Sequence, residues 1–200
     1  MSIDNIKTNK RIALLLLAAG RSKRVGTPKQ LLKFNEVPML QLVLDNVLGG
    51  NYDVYVVTGA YRAKILAAIN IEGAEEVYNA NWQEGMGSSI REGLKATLTY
   101  HDYNGVIISV ADQIFLTREV LEELILKHNA NPDHIIASSY GKGFGPPVLF
   151  PRSMFSYLKS LNGDEGARLI ITKNLNKVVL HEFPEGKIDI DSLEDYENYK

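Results

Sequence analysis

The sequence predicts an α/β fold of three layers, in which helices cover both faces of a mostly parallel sheet of about seven strands. Apolar strand-like runs alternate with segments of helical periodicity along most of the chain, and this alternation favours parallel strands joined by right-handed crossovers. The alternation is interrupted at residues 140–147, YGKGFGPP, where a glycine- and proline-rich turn precedes a short apolar run. We therefore expect one antiparallel insertion at one side of the sheet.

The first strand is the clearest element. Residues Ile12–Ala18 form a continuous apolar run, which is the pattern of a parallel strand that is buried on both faces, and the small residues Ala19 and Gly20 end it. The same kinds of periodicity predict the remaining strands over residues 53–58, 76–78, 105–110, 135–139, 148–150 and 178–181. Helical spacing of apolar residues predicts helices over residues 40–47, 62–69, 89–98, 118–125, 153–161 and 167–175.

Three helix starts carry a capping signal. Ser89 is followed three positions later by Glu92, which predicts a capping box and a helix that begins at Ser88 or Ser89. Thr117 is expected to cap the helix that follows the strand at 105–110. Ser192 with Asp195 predicts a second capping box at the start of a final helix.

Composition and charge indicate an ordinary globular protein. The chain has 200 residues, of which 45% are hydrophobic and 23% charged, and its formal net charge is −2. No composition change marks a boundary, so we expect one domain over residues 1–200, with residues 1–10 as a flexible N-terminal tail.

Several classes of protein are disfavoured by the same data. The chain has no cysteine, which excludes disulfides and thiolate metal sites. No apolar run reaches the ~18 residues that a membrane span needs, and the N-terminal residues lack the apolar core of a signal peptide. A sequence pI of about 6.1 disfavours a surface for nucleic acid. A cytoplasmic enzyme or binding protein without a membrane or nucleic-acid partner is therefore expected.

The loop after the first strand carries the main functional signal. Residues 14–32, LLLLAAGRSKRVGTPKQLL, place Arg21, Lys23, Arg24 and Lys29 beside a small-residue turn at Gly20. Between residues 5 and 35 there are eight Lys or Arg and no Asp or Glu. Backbone N–H groups together with several cations form a site for a triphosphate. The alternative is a turn with solvated basic residues, and the loop matches neither a Walker pattern nor a dinucleotide fingerprint.

Two acids complete this site in the prediction. A triphosphate needs a divalent cation, and Mg²⁺ prefers oxygen ligands, for which Asp112 and Asp191 are the candidates. Asp112 follows the strand at 105–110, at the sheet edge where open α/β sheets bind ligands. Each acid has a structural alternative, as a turn cap for Asp112 and as a residue preceding a helix for Asp191. Asp189 points to the opposite face if the segment is extended and is the weaker candidate.

The segment LAAGRSKRVGTPKQLL resembles the signature loop of the nucleotidyltransferases that act on the molybdenum cofactor, and especially the branch that attaches CMP to molybdopterin. The resemblance extends over nearly the whole chain and implies a Rossmann-like α/β nucleotidyltransferase domain that uses a nucleoside triphosphate and Mg²⁺ and releases pyrophosphate. It also implies that Asp112 of SVADQ and Asp191 of DIDSLED hold the metal. Nucleotide-binding residues implied at the loop are Leu17, Ala18, Ala19, Gly20, Arg21, Ser22 and Lys29.

Two further segments take roles from this resemblance. Residues 81–94, NWQEGMGSSIREGL, supply Gly87, Ser88 and Ser89 to the nucleotide site, while the plain alternative for Ser89 is a helix cap. The segments GFGPPVLF and NGDEGAR are implied to lie on the acceptor side, where we expect Gly145, Phe150 and Arg168 to contact the acceptor. An edge hairpin and a glycine-capped turn are the structural alternatives there.

The function implied is transfer of CMP from CTP to molybdopterin, with Arg24, Lys29 and Asp112 as catalytic residues. We expect Lys29 and Arg24 to offset the charge that builds on the α-phosphate and the leaving group, and the Asp112 and Asp191 carboxylates to approach within about 5 Å. Two departures from the family pattern are Val25 in place of methionine and Ile114 in place of proline. Alternatives are transfer to another acceptor such as a sugar phosphate, and a non-catalytic cofactor-binding protein that serves a molybdoenzyme partner.

Overall fold

The computed structural model of the protein describes residues 11–22, 27–190 and 192–199, without the side chain of Leu193. The predicted tail at residues 1–10 lies outside the described residues. So do Lys23, Arg24, Val25 and Asp191, which the sequence had marked as functional or as departures from the family pattern.

The strands bear out the predicted elements and extend several of them. They are β1 (Ile12–Leu17), β2 (Lys33–Phe34), β3 (Val37–Pro38), β4 (Asp53–Thr58), β5 (Ala74–Tyr78), β6 (Gly105–Val110), β7 (Ile135–Ser139), β8 (Phe144–Pro151) and β9 (Val178–Glu182). The helices are α1 (Met39–Val47), α2 (Arg62–Ala68), α3 (Met86–Tyr100), α4 (Arg118–Ala130), α5 (Phe155–Lys159), α6 (Arg168–Lys173) and α7 (Leu193–Tyr199).

Seven strands form one mixed sheet in the order β5-β4-β1-β6-β8-β7-β9, and β2 and β3 form a separate small hairpin. Strand β8 is antiparallel to both β6 and β7, whereas the other pairs are parallel. The predicted α/β class with an antiparallel insertion is therefore confirmed. The insertion lies inside the sheet, between β6 and β7, and not at its side.

The strand order determines where a ligand can bind. The chain leaves β1 for β4 on one side and later returns to β6 on the other, so that Leu17 at the end of β1 pairs with both Val57 and Val110. Loops that follow these three strands diverge above a common edge. Such a switch point opens a crevice at the carboxyl ends of the strands. Because β8 runs the opposite way, its first residues lie at this same edge.

Helices cover both faces of the sheet because successive β1 residues point to opposite sides. Ala13, Leu15 and Leu17 belong to the apolar cluster that includes residues of α3, α5 and α6. Ile12, Leu14 and Leu16 belong to the cluster that includes residues of α1, α2 and α4. Burial of β1 on both faces explains its continuous apolar sequence. Among the described helices, none has both the length and the apolar composition needed to cross a lipid bilayer.

A third apolar cluster lies beside the crevice. It joins Phe34 of β2, Met39 of α1, Ile114 after β6 and Ile190, and Tyr196 of α7 packs against it. The segments that carry Lys29 and Asp112 are thus attached to the C-terminal part of the chain.

One of the three predicted caps is present as predicted. Thr117 is the residue before α4, as expected, but its side chain forms no capping hydrogen bond. Ser192 and Asp195 form the predicted capping box, with Asp195 N donating to Ser192 Oγ at 3.1 Å and Ser192 N donating to Asp195 Oδ2 at 2.8 Å. The capping box at Ser89 is wrong, because α3 begins at Met86 and Ser89 lies within its first turn.

Candidate active site

A cleft of about 460 Å³ opens at the carboxyl edge of the sheet. Its walls are the loop after β1, the segment that leads into α3, and the loop after β6. Lys29 and Gln30, at the end of the loop after β1, line it as well, and so does Asp164, which is distant in sequence. The strand order brings these segments together, as expected for a ligand site at a switch point.

A buried side chain fixes the conformation of the loop after β1. The Gln30 amide, 2% exposed, donates to Ala18 O at 2.9 Å and to Gly20 O at 3.1 Å. Ser22 adopts a positive φ of 52°, and its Oγ accepts a hydrogen bond from Lys29 N at 3.1 Å. These bonds fix the conformation of the turn. The space beside Gly20 is open, because a Cβ there would meet nothing within 4 Å, so an anion can approach the backbone at this point.

The end of β4 supports the same loop from the other side. Ala60 N donates to Ala19 O at 3.1 Å. A Cβ at Gly59 would lie 2.8 Å from Ala19 O and 2.7 Å from the Cβ of Trp82. Only glycine allows the three segments to meet this closely. The packing places the half-buried Trp82 ring in the wall of the cleft.

Lys29 and Asp112 meet inside the cleft, as the sequence predicted for a cation and an acid of one site. The Lys29 Nζ forms an ion pair with Asp112 Oδ2, and the two side chains are only 19% and 13% exposed. Asp112 Oδ1 is buried and accepts no hydrogen bond from the part of the chain that the structure describes. A buried carboxylate oxygen without a donor is costly unless a cation or a ligand satisfies it.

This orphaned oxygen fits a divalent metal, because Mg²⁺ and Mn²⁺ take carboxylate oxygens as ligands. Within residues 11–22, 27–190 and 192–199, no three His, Asp or Glu side chains converge on one point. Asp191, the second predicted ligand, lies outside the described residues, and its expected distance to Asp112 stays a prediction. Ile190, the residue before it, donates its N–H to Asp112 O at 3.4 Å.

Gln113 fixes the loop that carries Asp112. Its buried Nε2 lies 2.9 Å from Gly186 O, 3.0 Å from Pro146 O and 3.2 Å from the Tyr140 hydroxyl. Burial raises the pKa of Tyr140, so its hydroxyl stays protonated and donates to Pro146 O. The loop is therefore bonded to the start of β8 and to the segment after β9. Sequence reasoning had selected Asp112 alone.

Of the predicted nucleotide-binding residues Gly87, Ser88 and Ser89, one lines the cleft and two support its wall. Ser89 lines the cleft, and its Oγ accepts a hydrogen bond from Asn79 Nδ2 at 3.0 Å. Ser88 is buried and accepts from the same amide at 2.8 Å. Gly87 donates its N–H to Gly163 O at 3.0 Å, and a Cβ there would lie 3.2 Å from the backbone of residues 162–163. Gly87 and Ser88 thus shape the wall and do not line it.

The predicted acceptor residues are not brought together at the cleft. Phe150 is fully buried in the core, so the prediction that its ring meets an acceptor is wrong. Gly145 is buried as well, and a Cβ there would lie 2.9 Å from the Tyr140 hydroxyl. Arg168 is exposed, with its guanidinium carbon 5.6 Å from the centre of the Phe144 ring. None of these three residues lines the cleft.

Of the nucleotide residues predicted at the first loop, all but one line the cleft. Leu17, Ala19, Gly20, Arg21, Ser22 and Lys29 do so. Ala18 is buried behind them and presents its carbonyl to Gln30. Arg24, predicted to be catalytic, lies outside the described residues.

Sequence reasoning missed Gln30, Trp82 and Asp164 as residues of the cleft. Gln30 follows Lys29 in the same predicted motif, so it could have been predicted as a cleft residue together with Lys29. The other two gave no local signal, because their place in the cleft depends on contacts made across long stretches of chain. Trp82 reaches it through Gly59, and Asp164 reaches it through the turn that packs on Gly85 and Gly87.

The chain is similar to known proteins over most of its length. Residues 14–178 match the family model described as MobA-like NTP transferase domain. The chain is 31% identical over 167 residues to the nicotine blue oxidoreductase of Paenarthrobacter nicotinovorans. The aligned residues make up 78% of this chain and 79% of that protein. The chain is 28% identical over 194 residues to the purine catabolism protein PucB of Bacillus subtilis (strain 168), which covers 92% and 93% of the two chains.

A solved structure shows the same fold with a metal. The protein Rv0371c of Mycobacterium tuberculosis H37Rv, crystallised as a complex with manganese, superposes with a TM-score of 0.75 at 25% identity. The likeness covers 94% of this chain and 97% of that one.

Proposed function

Because the chain belongs to the MobA-like NTP transferase domain family and is a nucleotidyltransferase, we propose that it transfers CMP from CTP to molybdopterin and releases pyrophosphate. The observation that carries this proposal is the meeting of Lys29 and Asp112 beside the Gly20 loop in one cleft. A cation, a backbone turn and a carboxylate with a buried free oxygen are the groups that a metal-bound triphosphate requires.

The reaction is a displacement at the α-phosphorus. An oxygen of the acceptor phosphate forms the new bond to phosphorus, the bond from phosphorus to the bridging oxygen of the β-phosphate breaks, and pyrophosphate leaves with that electron pair. Positioning and charge stabilisation dominate such a step. The backbone N–H groups of the loop after β1 would hold the phosphates, and Arg21 and Lys29 would offset their charge. Arg24 is proposed to assist Lys29.

We propose Asp112 and Asp191 as the residues that hold Mg²⁺. Bound there, the ion would neutralise phosphate oxygens and so favour attack on the α-phosphorus. The Asp112 Oδ1 atom is the ligand that the geometry supports, since it is buried and has no donor among the described residues. The manganese complex of Rv0371c supports a divalent ion in this fold.

CTP and molybdopterin are proposed from the resemblance of the signature loop. Ser89 and the backbone of Gly85 and Met86, which line the cleft, are the candidates for contacts to the base or ribose. A molybdoenzyme that receives the finished cofactor is the proposed partner. The names of the two relatives point to different chemistry, one to an oxidoreductase and one to purine catabolism, so the acceptor needs a direct test.

The test is a panel that measures pyrophosphate release. CTP, GTP, ATP and UTP are each combined with molybdopterin and with several sugar phosphates, with and without Mg²⁺. We expect release with CTP and molybdopterin only when the metal is present. Release with a sugar phosphate alone would replace the acceptor in the proposal, and no release from any pair would overturn transfer. Turnover of nicotine blue is followed in parallel, and activity there would favour the chemistry in that relative's name.

A further inference from the structure

An acidic residue is among those that line the cleft. Asp164, an exposed residue on the turn between α5 and α6, lines the same cleft as Arg21 and Lys29. Asp164 accepts no hydrogen bond and forms no ion pair within the described part of the chain. A carboxylate repels phosphate oxygens and accepts hydrogen bonds, so the part of a ligand that suits Asp164 is one that donates them.

The turn that carries Asp164 is fixed in place. Gly163 O accepts the Gly87 N–H at 3.0 Å, and Asn162 N donates to Glu165 Oε2 at 3.1 Å. Arg91 holds the preceding segment through Leu161 O and pairs with Glu84 at 2.8 Å. Hydrogen bonds therefore fix the turn that carries the carboxylate, and a group that recognises a ligand needs such a fixed position.

The surroundings of Asp164 fit a flat ring. Its Oδ1 lies 2.5 Å from where a Cβ of Gly85 would stand, so the absence of that side chain leaves room for the carboxylate at the wall. Trp82, Gln83 and Met86 line the same cleft. An aromatic ring and a thioether offer a stacking surface for a heterocycle, and a carboxylate at its rim accepts from ring-bound amino groups.

From this arrangement we propose that Asp164 determines specificity by accepting hydrogen bonds from the exocyclic amino group of a bound heterocycle. This inference rests on the proposed function, because it concerns a ligand of the same cleft. Two ligands have the required chemistry, the amino-substituted base of the nucleotide and the aminopterin ring of the acceptor. Asp164 selects for the amino form of its ligand and against the oxo form.

The experiment measures binding, not turnover. Dissociation constants are determined by titration calorimetry for two matched pairs, CTP with UTP and 6-hydroxymethylpterin with its lumazine analogue, which carries an oxo group where the pterin has an amino group. Fluorescence of Trp82, the one tryptophan of the sequence, reports cleft occupancy independently for the nucleotides. The wild type is compared with Asp164→Asn, which keeps the shape of the side chain and removes its charge.

We expect Asp164→Asn to reduce the amino-over-oxo preference in one pair by about tenfold or more, since the amide group can donate to an oxo ligand. A change confined to CTP and UTP assigns the contact to the base, and a change confined to the pterin pair assigns it to the acceptor. Asp102→Asn is the control, because Asp102 is 91% exposed and pairs with Arg152 away from the cleft. It should alter neither ratio.

Two outcomes overturn the inference. One is that both ratios stay within twofold of the wild type while the variant unfolds at the same temperature. The other is that the wild type itself shows no amino preference in either pair. Neither outcome depends on pyrophosphate release, so a failure of the proposed transfer reaction would be seen separately in the activity panel.

Discussion

At the scale of single residues, the site depends on the ion pair between Lys29 and Asp112. Both side chains are largely buried, and their opposite charges form an ion pair. The fold thus holds together the cation that would neutralise a phosphate and the acid that would hold a metal. Preorganised charge of this kind costs no rearrangement at the moment of reaction.

Removing the Lys29 charge tests its role in the reaction. Lys29→Met should lower kcat for pyrophosphate release by ~100-fold or more, because an oriented donor to the transition state is lost. Steady-state kinetics with CTP provides the measurement. Lys33→Met is the matched control, since Lys33 is exposed and pairs with Glu36 on the β2–β3 hairpin. A raised KM with unchanged kcat would show that Lys29 only binds the ground state.

The same variant has an opposite effect on metal alone. Lys29 occupies one oxygen of Asp112, so a metal that arrives without nucleotide must compete with the ammonium group. Lys29→Met should therefore tighten Mn²⁺ binding by about tenfold, equivalent to about 1.4 kcal/mol, as measured by electron paramagnetic resonance of free Mn²⁺. Asp112→Asn should weaken it strongly. Equal Mn²⁺ affinity in wild type and Lys29→Met would contradict this competition.

Residues differ in how far the sequence predicts them. Lys29 and Asp112 were predictable because a basic loop and a strand-terminal acid are local signals. Phe150 was misassigned because an aromatic residue near a functional turn has the same local pattern whether it faces the core or a ligand. Gln30 and Asp164 take their places in the cleft through contacts that only the folded chain brings together.

Helix α3 illustrates the same limit for a whole element. The Ser89 and Glu92 pattern predicted a capping box, yet the helix begins three residues earlier, at Met86. Gly85, with φ of 104°, turns the chain into the helix, and Asn79 takes the hydroxyls of Ser88 and Ser89 as hydrogen-bond acceptors. A tertiary partner has replaced the local cap.

Gly85 is expected to tolerate no side chain. A Cβ there would lie 2.5 Å from both Asp164 Oδ1 and the backbone of Gly163, and the positive φ adds strain. Gly85→Ala should lower the free energy of unfolding by about 2–4 kcal/mol and weaken CTP binding. Gly141→Ala is the control for strain alone, because Gly141 has φ of 84° with nothing within 4 Å. Similar unfolding temperatures for the two variants would show that the contact with the 163–164 turn contributes little.

The ion pair between Glu76 of β5 and Arg62 of α2 predicts that the stability of the fold depends on pH. The side-chain hydrogen bond from Arg62 holds the pKa of Glu76 below its ordinary value of 4.5, against the opposing effect of partial burial. A depressed carboxyl pKa stabilises the fold above the unfolded value, and this stabilisation is lost as the pH falls from about 4.5 through the lower folded pKa.

Glu76→Gln should therefore lower stability at neutral pH and flatten its fall below pH 4.5. Chemical unfolding at several pH values measures both effects. Glu75→Gln, one residue earlier on the same strand and exposed, is the control for charge. If Glu76→Gln and wild type lose stability in parallel below pH 4.5, the Arg62 bond does not account for the acid sensitivity.

At the scale of the whole molecule, sequence periodicity predicted the seven strands of the main sheet, but it predicted neither their order nor the β2–β3 hairpin. Strands β4 and β6 have the predicted bounds, because a buried parallel strand has a continuous apolar pattern. The position of β8 between β6 and β7 depends on pairing across many residues, as between Val106 and Phe150. That pairing explains both the buried Phe150 and the presence of the first residues of β8 at the ligand edge.

The C-terminal helix connects the whole fold to the site. The Tyr196 hydroxyl donates to Lys33 O at 2.6 Å, and its ring packs edge-on against Phe34 with centroids 5.1 Å apart. Both contacts restrain the segment that begins at Lys29. Since α7 lies outside the cleft, Tyr196 would act on catalysis only by positioning.

Tyr196→Ala should therefore increase amide hydrogen exchange over residues 29–34 and weaken CTP binding about tenfold, while exchange in β1 and β6 stays unchanged. Tyr196→Phe keeps the ring and loses one hydrogen bond, so its effect should be smaller. Tyr157→Ala, at an exposed tyrosine of α5, controls for loss of an aromatic side chain. Faster exchange throughout the sheet would mean that α7 stabilises the fold as a whole, and unchanged exchange over 29–34 would mean that Lys29 is held by the cleft alone.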